Sequence, residues 1–403
     1  MTTAPLCAEL ESVVPERPFR VEFWDGGSLA PSNGAGGPTF YVRAPAAIGH
    51  LLRAPGQLGL GRAYVSGSVE VDDLDAALDV LDSWSPPQLD RGARLRLAGA
   101  LVRAHGLRPP PRRPSLELIP RGRRHSRGRD TRAVRHHYDV GNDFFALFLD
   151  ESMTYSCALF SSGAQGLEEA QRAKLELVCT KLGLREGETV LDVGCGWGSF
   201  AIHAANSRRV NAVGITLSEQ QAEFARRRVA ELELEDRVEI RVMDYREVGQ
   251  AFARRFDAVA SIGMVEHVGS SRIDDYAQLL AIALKPGGRV LNHGIGRLRI
   301  GEPEAGPFSE RYVFPDGAPL HLSRIQLSIE RAGLVTDHVE RFAGDYALTL
   351  RHWLERFESR LPEAVRLAGP ERVRVWRLYL RAARRGFESG FLAVYQVKAH
   401  RPE

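Results

Sequence analysis

From residue 190 onward the chain alternates short apolar runs with longer segments of helical or irregular pattern. "TVLDVG", "AVGITL", "VEIRVM", "FDAVASIG" and "GRVLNHGIG" read as strands, each followed by a helical or loop segment. That alternation predicts βαβ crossovers and a largely parallel, doubly wound α/β sheet. A late pair, "LVTDHVERF" and "FLAVYQVKAH", adds strands after the parallel series. The N-terminal part has a different texture: strand-like "FRVEFW" and "FYVRA" lead into glycine-punctuated "GQLGLGRAYVSGSVEV" and the amphipathic "DDLDAALDVLDSW". This is the pattern of a small α+β unit. Between the two, residues 108–130 hold eight arginines and five prolines among few apolar side chains, a composition that favours extended chain over packing. The division expected is therefore a small domain over 1–107, a basic linker over 108–130 and a main domain over 131–403.

Composition excludes several classes. The 403 residues suffice for two domains with substantial cores, and a net charge of +3 gives no overall field for nucleic acid. Cys7, Cys157, Cys179 and Cys195 form no CxxC pair, which fits a reducing compartment better than a disulfide framework or a zinc site. His136 and His137 have no further ligands at a recognisable spacing, so no metal is assigned. The N-terminus lacks the basic start and apolar run of a signal peptide, and no apolar stretch reaches membrane-spanning length, which places the protein in the cytoplasm.

"VLDVGCGWGSF", residues 190–200, runs an apolar strand into Gly194, Gly196 and Gly198 just before a helix. Glycines let the backbone turn tightly and approach a ligand, and a helix N-terminus offers free N–H donors. Alone, a GxGxG spacing is often a mere turn. Here Asp192 precedes it, "KPGG" at 285–288 precedes the fifth strand, and the strand series fits a class I S-adenosylmethionine-dependent methyltransferase with a Rossmann-like sheet. The second strand ends in "GITLSEQQ" with no acid to grip ribose hydroxyls, so Thr216, Leu217 and Gln221 must serve instead.

Together with "HHYDVGNDFFALFLDESMTYSCALF" at 136–160, "SIGMVEHVG" at 261–269, "LNHGIG" at 291–296, "FAGDYALTLRHW" at 342–353 and "GLGRAYVSGSVEV" at 59–71, the sequence closely resembles the cyclopropane-fatty-acyl-phospholipid synthases and the related mycolic acid cyclopropane synthases. The resemblance implies transfer of a methyl group from S-adenosylmethionine to a cis double bond of a phospholipid acyl chain, then proton loss that closes a ring. It implies cofactor contacts from Tyr155, Ser156, Gly194, Gly196, Thr216, Leu217 and Gln221, with Tyr245 and Arg246 near the adenine. It also implies a bicarbonate ion held by Cys157, Glu266, His293, the backbone N–H of Ile295, and Tyr346. A homodimer is a further expectation of the family.

The chemistry explains why such groups suit. An alkene cannot be activated by deprotonation, so alignment and exclusion of water carry much of the catalysis. The carbocation left by methyl transfer would be trapped by a thiolate, which makes Cys157 a pocket wall rather than a nucleophile. A weak base held by Glu266, His293 and Tyr346 can take the proton while its charge stabilises the cation. Glu266 and His267 are adjacent, and Glu266 is the one expected to face the pocket. Phe144, Phe145, Phe148 and Phe160 read either as an acyl tunnel or as plain core. Contact with an anionic membrane surface falls to the basic linker or to the arginine-rich amphipathic stretch 371–387 with Val375, Trp376, Leu378, Tyr379 and Leu380, whose apolar side equally suits a packed core. The competing functions are a fatty-acyl methyltransferase that leaves a methylene branch, a small-molecule N-methyltransferase, and a silent lipid-binding protein.

Overall fold

The structure is a computed structural model that describes residues 2–32, 34, 36–119, 121–138, 140–299, 306–317 and 319–403. The chain forms two compact units, residues 1–117 with 369–382, and residues 118–368 with 383–403.

In the first unit, strands β1 (Arg20–Phe23), β2 (Ser28–Leu29), β3 (Thr39–Val42) and β4 (Val69–Val71) form a sheet in the order β2-β1-β3-β4. Leu6, Phe23, Leu29, Ile48 and Ala104 pack in its core. "DDLDAALDVLDSW" folds as the helix Leu74–Ser83 because Asp73 caps it, accepting from the backbone N–H groups of Asp75 and Ala76 at 2.9 and 3.0 Å. Glu117, from the basic stretch, holds Arg62 in a two-pronged ion pair at 2.6 and 2.7 Å, with side chains only 1% and 5% exposed. Removing one partner strands the other charge away from water. Glu117→Ala is therefore expected to lower the stability of this unit by about 3–5 kcal/mol, read as a fall in the denaturation midpoint.

In the second unit, β5 (Thr189–Val193), β6 (Asn211–Thr216), β7 (Val238–Val242), β8 (Phe256–Ile262) and β9 (Leu284–Arg297) are the five strands read from the sequence, mutually parallel in the order β9-β8-β5-β6-β7. Their near-continuous apolar character follows from burial on both faces, as in β5, where Val190, Leu191, Asp192 and Val193 are all buried. β10 (Leu320–His321) pairs with the far end of β9. The late pair forms β11 (Val335–Arg341) and β12 (Leu392–His400), with β12 antiparallel to both β9 and β11. β11 is the edge strand, with exposed and half-buried positions only.

The long helix Leu361–Glu388 breaks at Gly369, whose φ of +77° and ψ of 163° are not helical, immediately before Pro370. Beyond that break Val373, Val375, Trp376, Leu380 and Phe387 are buried. Most of the apolar side of 371–387 is thus buried, with Leu378 and Tyr379 half-buried, and Arg381 is buried with it. The phenylalanines divide in the same way. Phe144, Phe145 and Phe148 are at most 1% exposed and pack edge-on with Tyr155, Trp353 and Phe357 and at a tilt with Trp197, while half-buried Phe160 stacks on His352.

Candidate active site

β5 carries its apolar run directly into the glycine turn. The N–H groups of Gly194 and Cys195 both donate to the carbonyl of Ile215, at 3.0 and 2.9 Å, which folds the loop back over the end of β6. Gly194, Gly196 and Gly198 take φ values of +80°, +54° and +82°. A Cβ on Gly198 would lie 3.0 Å from Ala225 Cβ, so packing demands that glycine, whereas a Cβ on Gly196 would meet no protein atom within 4 Å. Gly196 faces open space, so its backbone is accessible to a ligand.

Two adjoining cavities share Tyr138, Gly194, Gly196, Gln221 and Gly263. One is further lined by Thr216, Leu217, Tyr245 and Arg246, the other by Tyr155 and Ser156, so every residue expected at the cofactor lines this cleft. The end of β6 is organised locally. Ser218 caps the helix Glu219–Glu231, and the Thr216 hydroxyl donates to Gln221 Oε1 at 2.8 Å, turning the amide N–H groups of Gln221 away from Thr216. Arg246 lines the cleft with its charge already committed: it grips Asp244 through two bonds at 2.7 and 2.8 Å and Asp130 at 3.0 Å. Tyr245 is buried, and burial raises its hydroxyl to about 12, so it remains a neutral wall.

Sequence reasoning missed one charged group here, Lys174, and named Asp192 only as the residue ahead of the glycines. Lys174, on the helix Leu167–Leu182, is 2% exposed, lines the cleft with Asp192 and donates to Ser156 Oγ at 3.0 Å. Burial lowers its ammonium to about 8 and raises the Asp192 carboxyl to about 7. The available signal was a lysine within a run of buried positions, Leu167, Ala170, Gln171, Lys174, Leu175 and Val178, at helical spacing.

The second expected set lies where β8 and β9 end and where the helix Ala343–Ser359 begins. Glu266 Oε1 accepts the backbone N–H of Ile295 at 2.6 Å, while Oε2 is buried with no hydrogen-bond partner among the described residues. Burial lifts the Glu266 carboxyl to about 7. This closeness requires Gly294, where a Cβ would fall 2.2 Å from Val265 Cγ1 and push the short helix Val265–Val268 off β9. His293 is 3% exposed, and its Nδ1 lies 3.1 Å from the amide nitrogen of Gln396. Phe342 stacks on the His293 ring, and Tyr346 follows one helical turn later, against Phe387 and Trp353. Cys157 joins through its neighbour: the N–H of Ala158 donates to Thr349 Oγ1 at 3.0 Å. Burial, aided by the charge of Asp345, pushes the Cys157 thiol well above its usual range, so it stays protonated at neutral pH. His267, adjacent to Glu266, lines the cleft with Thr216 and Tyr245, and burial lowers its imidazole to about 4.

This arrangement coincides with a known family. Residues 125–397 match the family model described as mycolic acid cyclopropane synthetase. The chain belongs to that family. It is 39% identical over 392 residues to a probable fatty acid methyltransferase of Pseudomonas putida, covering 96% of this chain and 92% of the relative. It is 34% identical over 396 residues to the cyclopropane-fatty-acyl-phospholipid synthase of Escherichia coli K12, covering 97% and 95%. The crystal structure of the mycolic acid cyclopropane synthase CmaA1 complexed with SAH and CTAB superposes with a TM-score of 0.63 at 32% identity, covering 67% of this chain and 98% of that one. The protein is an S-adenosylmethionine-dependent methyltransferase, and the cleft over Gly194 and Gly196 suits that cofactor: open space at Gly196, a buried cation and carboxyl beside the aromatic Tyr155 and Trp197 in one part, and Thr216, Leu217 and Tyr245 in the other. Among the described residues, no helix is long and apolar enough to cross a membrane.

Proposed function

We propose that the protein is a cyclopropane-fatty-acyl-phospholipid synthase that works with a bound bicarbonate ion. The observation that carries this reading is Glu266: one carboxylate oxygen is fixed by the Ile295 N–H, and the other is buried, unpartnered and raised in pKa. A buried acceptor of that kind suits a small ligand with its own hydroxyl. S-adenosylmethionine supplies an electrophilic methyl, and bicarbonate supplies a weak base whose charge offsets a cation on the acyl chain. The protein's part is positional. Tyr155, Ser156, Thr216, Leu217 and Gln221 hold and orient the cofactor, the aromatic wall excludes water, and Glu266, His293, Tyr346 and the Ile295 N–H hold the base beside the methylated carbon.

Cys157 is a wall of that pocket and not a nucleophile, since a buried protonated thiol has no activating base. Cys157→Ser is expected to keep turnover within about tenfold of wild type, below the 10²–10⁴-fold typical of losing an acid–base group. A substrate adduct on Cys157 by mass spectrometry would reverse this assignment.

The lipid is reached from the cytoplasmic face of the membrane by peripheral attachment. The basic linker is the better candidate, because Arg112, Arg113, Arg121 and Arg123 are exposed, whereas most of the apolar side of 371–387 is buried. Each engaged arginine contributes about 1 kcal/mol near an anionic leaflet, so attachment weakens as salt rises. A homodimer belongs to the same reading.

The deciding experiment is lipid analysis of cells expressing the protein, by mass spectrometry and NMR, joined to initial rates on unsaturated vesicles in buffer purged of carbonate and then restored. Cyclopropane chains and a carbonate-dependent rate are expected. A methylene branch would instead support the fatty-acyl methyltransferase reading, which the Pseudomonas putida relative favours. Methylation of a soluble amine with no lipid product would overturn both.

A further inference from the structure

His293 is the residue of the anion-binding set whose hydrogen-bonding sense a second layer of the fold dictates. On its Nδ1 side lies the Gln396 amide nitrogen at 3.1 Å, and on the other end of that amide the ammonium of Lys181 reaches Oε1 at 2.6 Å. Lys181 also bonds Glu340, and its ammonium sits 5.1 Å from the centre of the Phe342 ring that stacks on His293. An ammonium only donates, so Gln396 Oε1 must be the acceptor and the opposite end of the amide must be the NH2 group. An NH2 group also only donates, so Nδ1 of His293 must be bare. The ring proton then belongs on Nε2.

The spacing is built into the sheet. Gln396 and His293 are register partners on β12 and β9, 1% and 3% exposed, and Lys181 projects from the helix Leu167–Leu182 with its side chain 11% exposed. An imidazolium would set Nδ1–H against the amide N–H groups. Burial and the two lysines that face the ring from that helix, Lys174 and Lys181, hold the imidazole neutral.

We propose that Lys181 and Gln396 are positioning residues that lock His293 as the Nε2–H imidazole, making it a permanent hydrogen-bond donor to an anion beside it and removing it as a proton acceptor. The proton lost by the acyl chain must then go to the bound ion and not to His293. That use of the donor rests on the anion-assisted reaction proposed above, whereas the tautomer does not.

The test is NMR of the full chain labelled with 15N-histidine, with His293→Gln identifying the signals. Wild type is expected to show a bare, pyridine-type Nδ1 and a protonated Nε2 that do not titrate across the neutral range. Lys181→Met frees the amide to rotate and should give mixed tautomers, with a fall in turnover of roughly ten- to a hundredfold, as for other partners that orient a functional histidine. Lys181→Arg, which still donates to Oε1, should restore the wild-type spectrum. Gln396→Glu places an acceptor against Nδ1 and should protonate it. Should Gln396→Glu fail to fold, Lys181→Met and Lys181→Arg carry the same reading. A protonated Nδ1 in wild type, or a tautomer unmoved in Lys181→Met, overturns the proposal. If the tautomer behaves as expected while wild-type turnover ignores carbonate, the lock stands and the bicarbonate reading fails.

Discussion

Glu266→Gln is expected to lower turnover by about 10²–10⁴-fold while leaving the protein at least as stable as wild type at alkaline pH. The loss follows from geometry. The amide can still accept the Ile295 N–H, but it replaces the buried, unpartnered Oε2 with a neutral group that no longer draws a ligand hydroxyl through a charge-assisted bond. The stability follows from linkage. Burial raises the Glu266 carboxyl from 4.5 to about 7, so the folded state holds this proton more tightly than the unfolded one. Its contribution is present in full below the ordinary carboxyl value and is lost as pH rises toward 7, by at most on the order of 3 kcal/mol. Glutamine carries no such dependence. The melting temperature of Glu266→Gln relative to wild type should therefore be higher on the alkaline side of 7 than on the acid side of 4.5. A variant that melts well below wild type under alkaline conditions would mean that the carboxylate is already paired in the fold. Undiminished turnover would remove Glu266 from the chemistry.

Gly196→Val is expected to weaken cofactor binding by at least about a hundredfold, or roughly 3 kcal/mol, with the fold retained. A Cβ there meets no protein atom within 4 Å, so the added bulk enters the cleft that Tyr155, Thr216 and Gln221 line. Its φ of +54° costs a β-branched residue about 1–2 kcal/mol, a modest fall in melting temperature. Gly198→Val is the matched control. There a Cβ lies 3.0 Å from Ala225, so the expected damage is chiefly to stability. Calorimetric titration with S-adenosylmethionine and a thermal melt on both variants separate the two effects. Unchanged affinity in Gly196→Val would move the cofactor elsewhere.

Much of this protein is legible in its sequence. The five parallel strands and the late pair of added strands announce themselves because strands covered on both faces become short apolar runs and turns between them need glycine and polar residues. The residues of this cleft were nameable from the family resemblance, and several of them, Gly194, Gly196, Thr216 and Leu217, follow strand ends, which a parallel sheet gathers along one edge. Tyr155, Ser156, Gly194, Gly196, Thr216, Leu217, Gln221, Tyr245 and Arg246 all line that cleft.

Only the tertiary structure decided what depends on partners distant in the chain. Amphipathic periodicity gives a helix two faces and does not say what covers the apolar one, and folding covers most of that of 371–387. The commitment of Arg246 to Asp130 joins residues 116 positions apart, the burial of Lys174 beside Asp192 joins two elements, and the chain from Lys181 through Gln396 to His293 spans three. Polar side chains look alike along a sequence. What they do is set by burial and by the single donor or acceptor that meets them, and both are properties of the packed sheet.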